Sequence, residues 1–203
     1  MMRKLLAALA LIPLAACGHA GAHPAPPPNW RTIADRGDRE HIRKWRDAWM
    51  DALAKANPAH AGEIADAGVV LQADAALTDP RPPATDYRCR VFKIAAQTPQ
   101  NKEFAVSEPS RCRISEQGAL LRLERLDGVQ RPAGLLYPDD ERRMIFLGTN
   151  ALSDEKRALG YGHDSERDLA GLVERIGANH WRLVIPYPHW ESELEVVDLV
   201  PEG

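Results

Sequence analysis

The sequence predicts an α+β protein, mainly β: an N-terminal helix pair followed by an antiparallel small β-barrel or curled sheet of about eight strands. Two observations carry this. Apolar residues recur at spacings of three and four between positions 36 and 68, and from position 87 onward the chain divides into short apolar segments bounded by Gly, Pro, Asp or Asn. The composition of the 203 residues, 44% hydrophobic and 27% charged, excludes collagen, coiled coil, a multi-span membrane protein and wholesale disorder, each of which needs a more biased chain. A formal net charge of -3 with no run of five like charges offers nucleic acid no basic track.

The helical part comes first. Asp35 and Asp38 precede the stripe Ile42, Trp45, Trp49, Ala52, Leu53 and Ala56, placing acidic groups at the positive end of a helix over 36–56. Asn57-Pro58 ends it, and the same pair starts a second short helix as N-cap and first residue, running through Ile64 to a terminal Gly68. Trp45 and Trp49, one turn apart, read as core. The helical region thus spans 30–68.

A Pro- and Asp-rich connector over 72–86 leads into the β region, 87–200. Its strands are predicted over 87–94, 111–115, 119–126, 129–137, 143–147, 171–176, 181–187 and 194–200. Asp127-Gly128 is the strongest hairpin signal, since a type I′ turn demands positive φ at both central residues. Pro138-Asp139-Asp140 and Gly177-Ala178-Asn179 mark further reversals. Strands joined by tight turns are antiparallel neighbours, and closing the set on itself removes exposed edges. Trp181, Leu183 and Ile185 alternate with Arg182 and Val184, giving one apolar face, and the charged stretch 152–167 reads as a loop or short helix.

The N-terminus reads as an address. Arg3 and Lys4 precede an uncharged run over 5–16 that would span about 18 Å as a helix, short of the ~30 Å hydrocarbon core, so 1–16 reads as a signal peptide. Leu14-Ala15-Ala16-Cys17 resembles the bacterial lipobox, whose Cys is lipidated and becomes the mature N-terminus; secretion with cleavage after Ala20-Gly21-Ala22 is the alternative. Gly at position 18 resembles lipoproteins sorted to the outer membrane, which implies a periplasm-facing domain held by the lipid on Cys17. Several acyl chains on one residue give stable anchoring where one alone is marginal. Residues 17–29 then form a Pro-rich stalk with four prolines between Gly18 and Asn29, reaching up to ~37 Å in polyproline II. His19 and His23 within it read as solvated, not as metal ligands. With Cys17 lipidated, Cys89 and Cys112 remain as an even pair in an oxidising compartment and are expected to be bonded.

Several blocks read together: Tyr87-Arg88-Cys89-Arg90-Val91, Gln130-Arg131-Pro132-x-Gly134, Met144-x-Phe146-Leu147-Gly148, Tyr161-Gly162, Arg167-Asp168-x-x-Gly171-x-x-Glu174-Arg175-Ile176-Gly177, Trp181-Arg182-Leu183 and Val197-x-Leu199-Val200-Pro201. They resemble the uncharacterised exported family described as domain of unknown function 4893, over roughly residues 30 to 201, the greater part of a single globular domain over 30–203. The resemblance implies an exported or lipidated envelope protein and no particular chemistry. A looser similarity links the Tyr-x-Cys entry to small disulfide-pinned barrels that inhibit envelope enzymes.

No catalytic signature stands out. His163, Asp164 and Ser165 lie in one loop, which invites a hydrolase reading, but no G-x-S-x-G elbow accompanies them. His180 and His189 lack zinc-ligand spacing, and neither a metal nor a cofactor is expected. Arg131, Glu174, Arg175 and Arg182 fall inside predicted strands, where charges must face water, pair or line a pocket. They are the expected binding residues of a barrel mouth, with Arg131 and Arg182 holding the ligand. The functional expectation is therefore a non-enzymatic envelope lipoprotein that binds an envelope protein or small amphipathic ligand. The alternatives are a hydrolase using His163 and a purely structural element. Cys17→Ala is expected to block lipobox processing and to release any processed domain from membranes; fractionation checks this, and unchanged retention with normal processing would point to another anchor.

Overall fold

The computed structural model describes residues 26–153 and 155–202. The signal peptide over 1–16, the lipid acceptor Cys17 and most of the stalk, with His19 and His23, lie outside the described residues. Three helices lead: α1 (Trp30–Ile33), α2 (Arg36–Arg43) and α3 (Trp45–Asp66), followed by a 3₁₀ turn at Gly68–Leu71. Asp35 caps α2 by accepting from the Asp38 N–H. The break between the long helices falls at Lys44 (φ -96°, ψ 15°), not at Asn57-Pro58 as expected. Pro58 sits within α3, and the backbone leaves helical values at His60 (φ -126°, ψ 21°). Proline removes one bond to the preceding turn; the buried Ala52 and Ala56 lie on the packed face that carries the helix past it. Gly68 ends the helical run with φ 58°, as its place in the sequence predicted.

Nine strands follow: β1 (Asp86–Ala96), β2 (Phe104–Val106), β3 (Ser110–Gln117), β4 (Leu120–Arg125), β5 (Gln130–Pro138), β6 (Arg143–Leu152), β7 (Asp168–Gly177), β8 (His180–Pro186) and β9 (Ser192–Pro201). From β3 on, each pairs antiparallel with its successor, and β9 returns to β1 from Tyr87↔Pro201 to Ala96↔Ser192. The sheet is a closed up-and-down barrel. β2 and β3 pair with β1 at 92–94 and 86–89 respectively, so together they fill one broken strand position, leaving eight around the barrel. The short β2 was not predicted. The break includes Pro109, which has no N–H for a ladder. Across it, Val91 N–H donates to Ser107 Oγ (3.0 Å) and Ser107 N–H to the Val91 carbonyl (2.8 Å).

β6 runs past its expected end because Gly148, just beyond the strand expected over 143–147, stands opposite Gly134 in the ladder, and β7 starts before its expected first residue to pair with that extension. A Cβ on Gly134 would lie 2.4 Å from the Leu147 carbonyl oxygen, and one on Gly148 would lie 2.5 Å from the Phe146 ring, so glycine here permits close approach. The Asp127-Gly128 reversal joins β4 to β5, but not as a type I′ turn. Gly128 has positive φ (102°) and Asp127 does not. The Asp127 carboxylate instead accepts from the Arg111 backbone (3.1 Å) and guanidinium (3.0 Å twice).

The barrel has two packed faces. Inside, Tyr87, Val91, Ile114, Leu123, Leu136, Phe146, Val173, Leu183 and Val197 form one core, and the Cys89–Cys112 disulfide (Cα–Cα 5.9 Å) lies within it. Joining residues 23 apart, the bond stabilises by roughly 3 kcal/mol in the chain-entropy model. Outside, Phe92, Ile94, Ile145, Leu172, Val184 and Val196 pack under Trp45, Trp49 and Ala52 of the helical layer, so the tryptophans are core as expected. The connector closes one end of the barrel: Tyr87 Oη donates to the Pro83 carbonyl (2.7 Å) and Trp181 Nε1 to that of Pro80 (3.1 Å).

Across five adjacent strands runs a row of alternating charge. Arg90 of β1 stands opposite Asp198 of β9, Asp198 opposite Arg182 of β8, Arg182 opposite Glu174 of β7, and Glu174 opposite Arg143 of β6. Arg182 and Glu174 are 0% exposed. Arg182 donates through Nε (2.9 Å) and Nη2 (2.6 Å) to Glu174 Oε2, and to the carbonyls of Val70 (2.9 Å), Gln72 (2.8 Å) and Ala73 (3.0 Å). All five N–H groups are therefore satisfied. Glu174 Oε1 accepts from Arg143 Nε (2.7 Å), and the two guanidinium groups lie 4.5 Å and 4.4 Å over Trp49 and Trp45. Arg182→Met is expected to cost roughly 3–5 kcal/mol, because it leaves a buried carboxylate and three carbonyls short of donors. Urea unfolding measures this, and adding Glu174→Met is expected to recover a good part of the loss.

Candidate functional site

The expected cluster of Arg131, Glu174, Arg175 and Arg182 does not assemble as a rim. Glu174 and Arg182 meet, but under the helical layer and away from solvent. Arg175 donates to the Thr78 carbonyl (3.0 and 2.6 Å), and Arg131 to those of Gly128 (2.9 Å), Ser153 (2.5 Å) and Glu155 (2.7 Å). The reason is common to all three arginines. Loops packed on a barrel present carbonyls without ladder partners, and a guanidinium with several fixed donors satisfies them.

The histidine loop does not form a triad. His163 Nδ1 is paired with the Gly160 carbonyl (3.0 Å) on the surface, Asp164 accepts from Arg167 Nε (2.8 Å), and Ser165 is exposed. His180 Nε2 contacts Asp198 Oδ1 (2.5 Å), while His189 is exposed in the β8–β9 loop. Among the described residues no group of three His, Cys, Asp or Glu is placed to hold a metal ion. The remainder of this loop docks on α2 through Tyr161, whose hydroxyl donates to Asp38. Burial raises the Asp38 carboxyl above its ordinary range and raises Asp168 as well, whose Oδ2 accepts from the Gly162 N–H (2.9 Å).

The end of the barrel opposite the connector is different. Alternation along the strands turns Lys93, Arg125, Gln130, Asn150 and Glu195 to the same side as the inner-core residues Val91, Leu123, Leu136, Phe146 and Val197. Lys93 Nζ reaches from β1 to Gln130 Oε1 on β5 (2.7 Å) and also pairs with Glu191 of the β8–β9 loop; Gln130 Nε2 donates to Glu191 Oε1 (3.0 Å). These groups border a cavity of about 460 Å³ whose apolar wall is Val91, Ala105, Val106 and Val129. It opens sideways. β2 pairs only with β1, and the β4–β5 ladder stops at Glu124↔Ala133, so a slot separates β2 from the 126–129 loop. Its two lips are exposed apolar residues, Val106 at 45% and Val129 at 70%.

Burial shifts two ionisable groups at this end of the barrel. Burial raises the Glu195 carboxyl, against the pull of Lys93 and Arg125, and the Glu191 charge raises it further. Burial also lowers the Arg125 guanidinium, which donates to Ser110 Oγ (3.0 Å) and the Gln130 carbonyl (3.3 Å). Among the described residues the buried atoms without a hydrogen-bond partner are Trp49 Nε1, Asn150 Oδ1, Asp168 Oδ1 and Ser192 Oγ, and none of these residues lines this cavity. What the cavity does hold is an under-partnered guanidinium beside an apolar wall, a combination found more readily at a binding site than in a core. None of the inward polar residues at this end was predicted, although extending the inner alternation past Val91 to Lys93, and back from Val197 to Glu195, would have found two.

An eight-position up-and-down barrel with one end sealed, the other open, and one flank covered by helices is the class of structure these observations define. The chain belongs to the family described as Domain of unknown function (DUF4893), whose model matches residues 30–199, in agreement with the expected family. No curated protein and no solved structure matches it.

A pH test follows from Glu195. Because its folded-state pKa is raised, the folded protein binds the proton more tightly than the unfolded chain; stability falls as pH rises from the ordinary glutamate value through the folded one, and is flat above. Glu195→Gln is expected to be more stable than the natural chain at pH 7.5, with the difference closing toward pH 4. Paired urea midpoints check this. Asp38 and Asp168, raised in the same direction, contribute equally to both proteins.

Proposed function

We propose that this protein is a non-enzymatic binding module of the cell envelope, held at the outer membrane by lipid on Cys17, whose barrel takes a small amphipathic ligand through its side opening. One observation carries the reading: an apolar slot with exposed lips leads to a cavity bordered by Lys93, Arg125, Gln130 and Glu191, while the other end of the same barrel is filled and sealed. A cavity of about 460 Å³ lies in the range that small-molecule sites occupy. The lipid anchor and the Pro-rich stalk would present this chamber to envelope amphiphiles. The small ligand is preferred to a protein partner because the polar groups lie inside the barrel, where side chains of a docked surface would not reach them.

The test is titration of the purified protein with the neutral fluorescent probe N-phenyl-1-naphthylamine. Saturable binding is expected, and Val106→Asp and Val129→Asp should each weaken it about tenfold by wetting the lips. Their unfolding free energies should stay within about 0.5 kcal/mol of the natural chain, as befits exposed positions. Absent binding, or binding indifferent to both substitutions, would refute the reading.

A further inference from the structure

We infer that the ligand is a single-chain amphiphile with an anionic head, a carboxylate or phosphate, which pairs with Arg125 while its chain lies between Val106 and Val129. This rests on the binding reading above and adds the chemical class. Three cations border or adjoin the mouth, and two are already answered. Lys93 is paired with Glu191 and Gln130, and Arg131 is saturated by three loop carbonyls. Arg125 is not. It is half-buried at inward parity, it lines the cavity, and among the described residues no carboxylate lies within 4.0 Å of it.

Its geometry is that of a receiver. Nε and Nη1 are fixed by Ser110 Oγ and the Gln130 carbonyl, which orients the plane and leaves Nη2 without a hydrogen bond. The guanidinium rests on the bare backbone of Gly128; a Cβ there would come within 3.1 Å of both Cζ and Nη2. Two acids act on Arg125 through their charge without an ion pair to it: Glu195, which lines a small polar pocket with Pro188 and Trp190, and Asp127, which is held by Arg111. A guanidinium partly removed from water without a hydrogen-bonded counterion is unfavourable, and an incoming carboxylate or phosphate supplies that pair through charge-assisted hydrogen bonds. The walls beside it, Val91, Ala105, Val106 and Val129, are apolar, so the chain attached to that anion has somewhere to lie.

The experiment is displacement of N-phenyl-1-naphthylamine from the purified protein at pH 7.5 by decanoate, decyl phosphate, decanol and decylamine, all below their micelle concentrations. The two anions are expected to bind about tenfold more tightly than the alcohol, and the amine least. Arg125→Gln is expected to abolish the difference between acid and alcohol. If that variant does not fold, the head-group series on the natural chain decides alone. Equal displacement by acid and alcohol would overturn the anionic head while leaving the cavity reading intact, whereas failure of the probe to bind at all would end both. Binding to phosphatidylglycerol vesicles without binding of monomeric decanoate or decyl phosphate would overturn the single-chain ligand in favour of a membrane surface.

Discussion

Arg182 constrains more of this molecule than any other side chain. A guanidinium cannot shed its charge inside a protein, so burying it completely demands five acceptors in fixed directions. Glu174 supplies one end, and the carbonyls of Val70, Gln72 and Ala73 supply the rest. The exit of the helical layer therefore has to cross β8 at one place. Glu174, left with one free oxygen in a dry environment, then requires Arg143, and the two guanidinium planes become surfaces on which Trp49 and Trp45 rest. Charge and packing here share one register.

That register decides which flank of the barrel is wet. The helices cover β1 and β6 to β9, so the outward residues there are Phe92, Ile94, Ile145, Leu172, Val184 and Val196. The outward residues of β3 and β4 stay in solvent, and they are Arg111, Arg113, Arg122 and Glu124, paired in surface bridges worth little individually. The uncovered flank is also where the wall is interrupted. The disulfide fastens β3 to β1 below the interruption, and Ser107 continues the hydrogen bonding of Val91 across it, so the slot is bounded by fixed backbone. The slot thereby lies on the side that the helices leave free.

The two ends of the barrel show the same economy of partners in opposite senses. At the sealed end, Tyr87, Trp181 and Arg175 each meet a connector carbonyl. At the open end Asn150 keeps a buried oxygen without a partner, Glu195 is driven toward its neutral form, and among the described residues Arg125 makes no ion pair. The fold that satisfies Arg182 five times over leaves the Arg125 guanidinium short of partners beside the slot.

By itself the sequence determined the order of helix and strands, the even pair that became Cys89–Cys112, the helix end at Gly68, and the inward face of Trp181, Leu183 and Ile185. These follow from local propensity, residue counting and the two-residue period of a strand, which need no distant partner. What only the tertiary structure decided was which outward face would be covered. The alternation that turns Trp181 inward turns Arg182 outward, and on a bare barrel outward means solvent. The helical layer and its exit, more than a hundred residues upstream, made it a fully buried charge. The same holds for the slot. Val106 and Val129 meet across a gap because β1 pairs with both β2 and β3, and β3 with β4, a shared partner that no local pattern encodes.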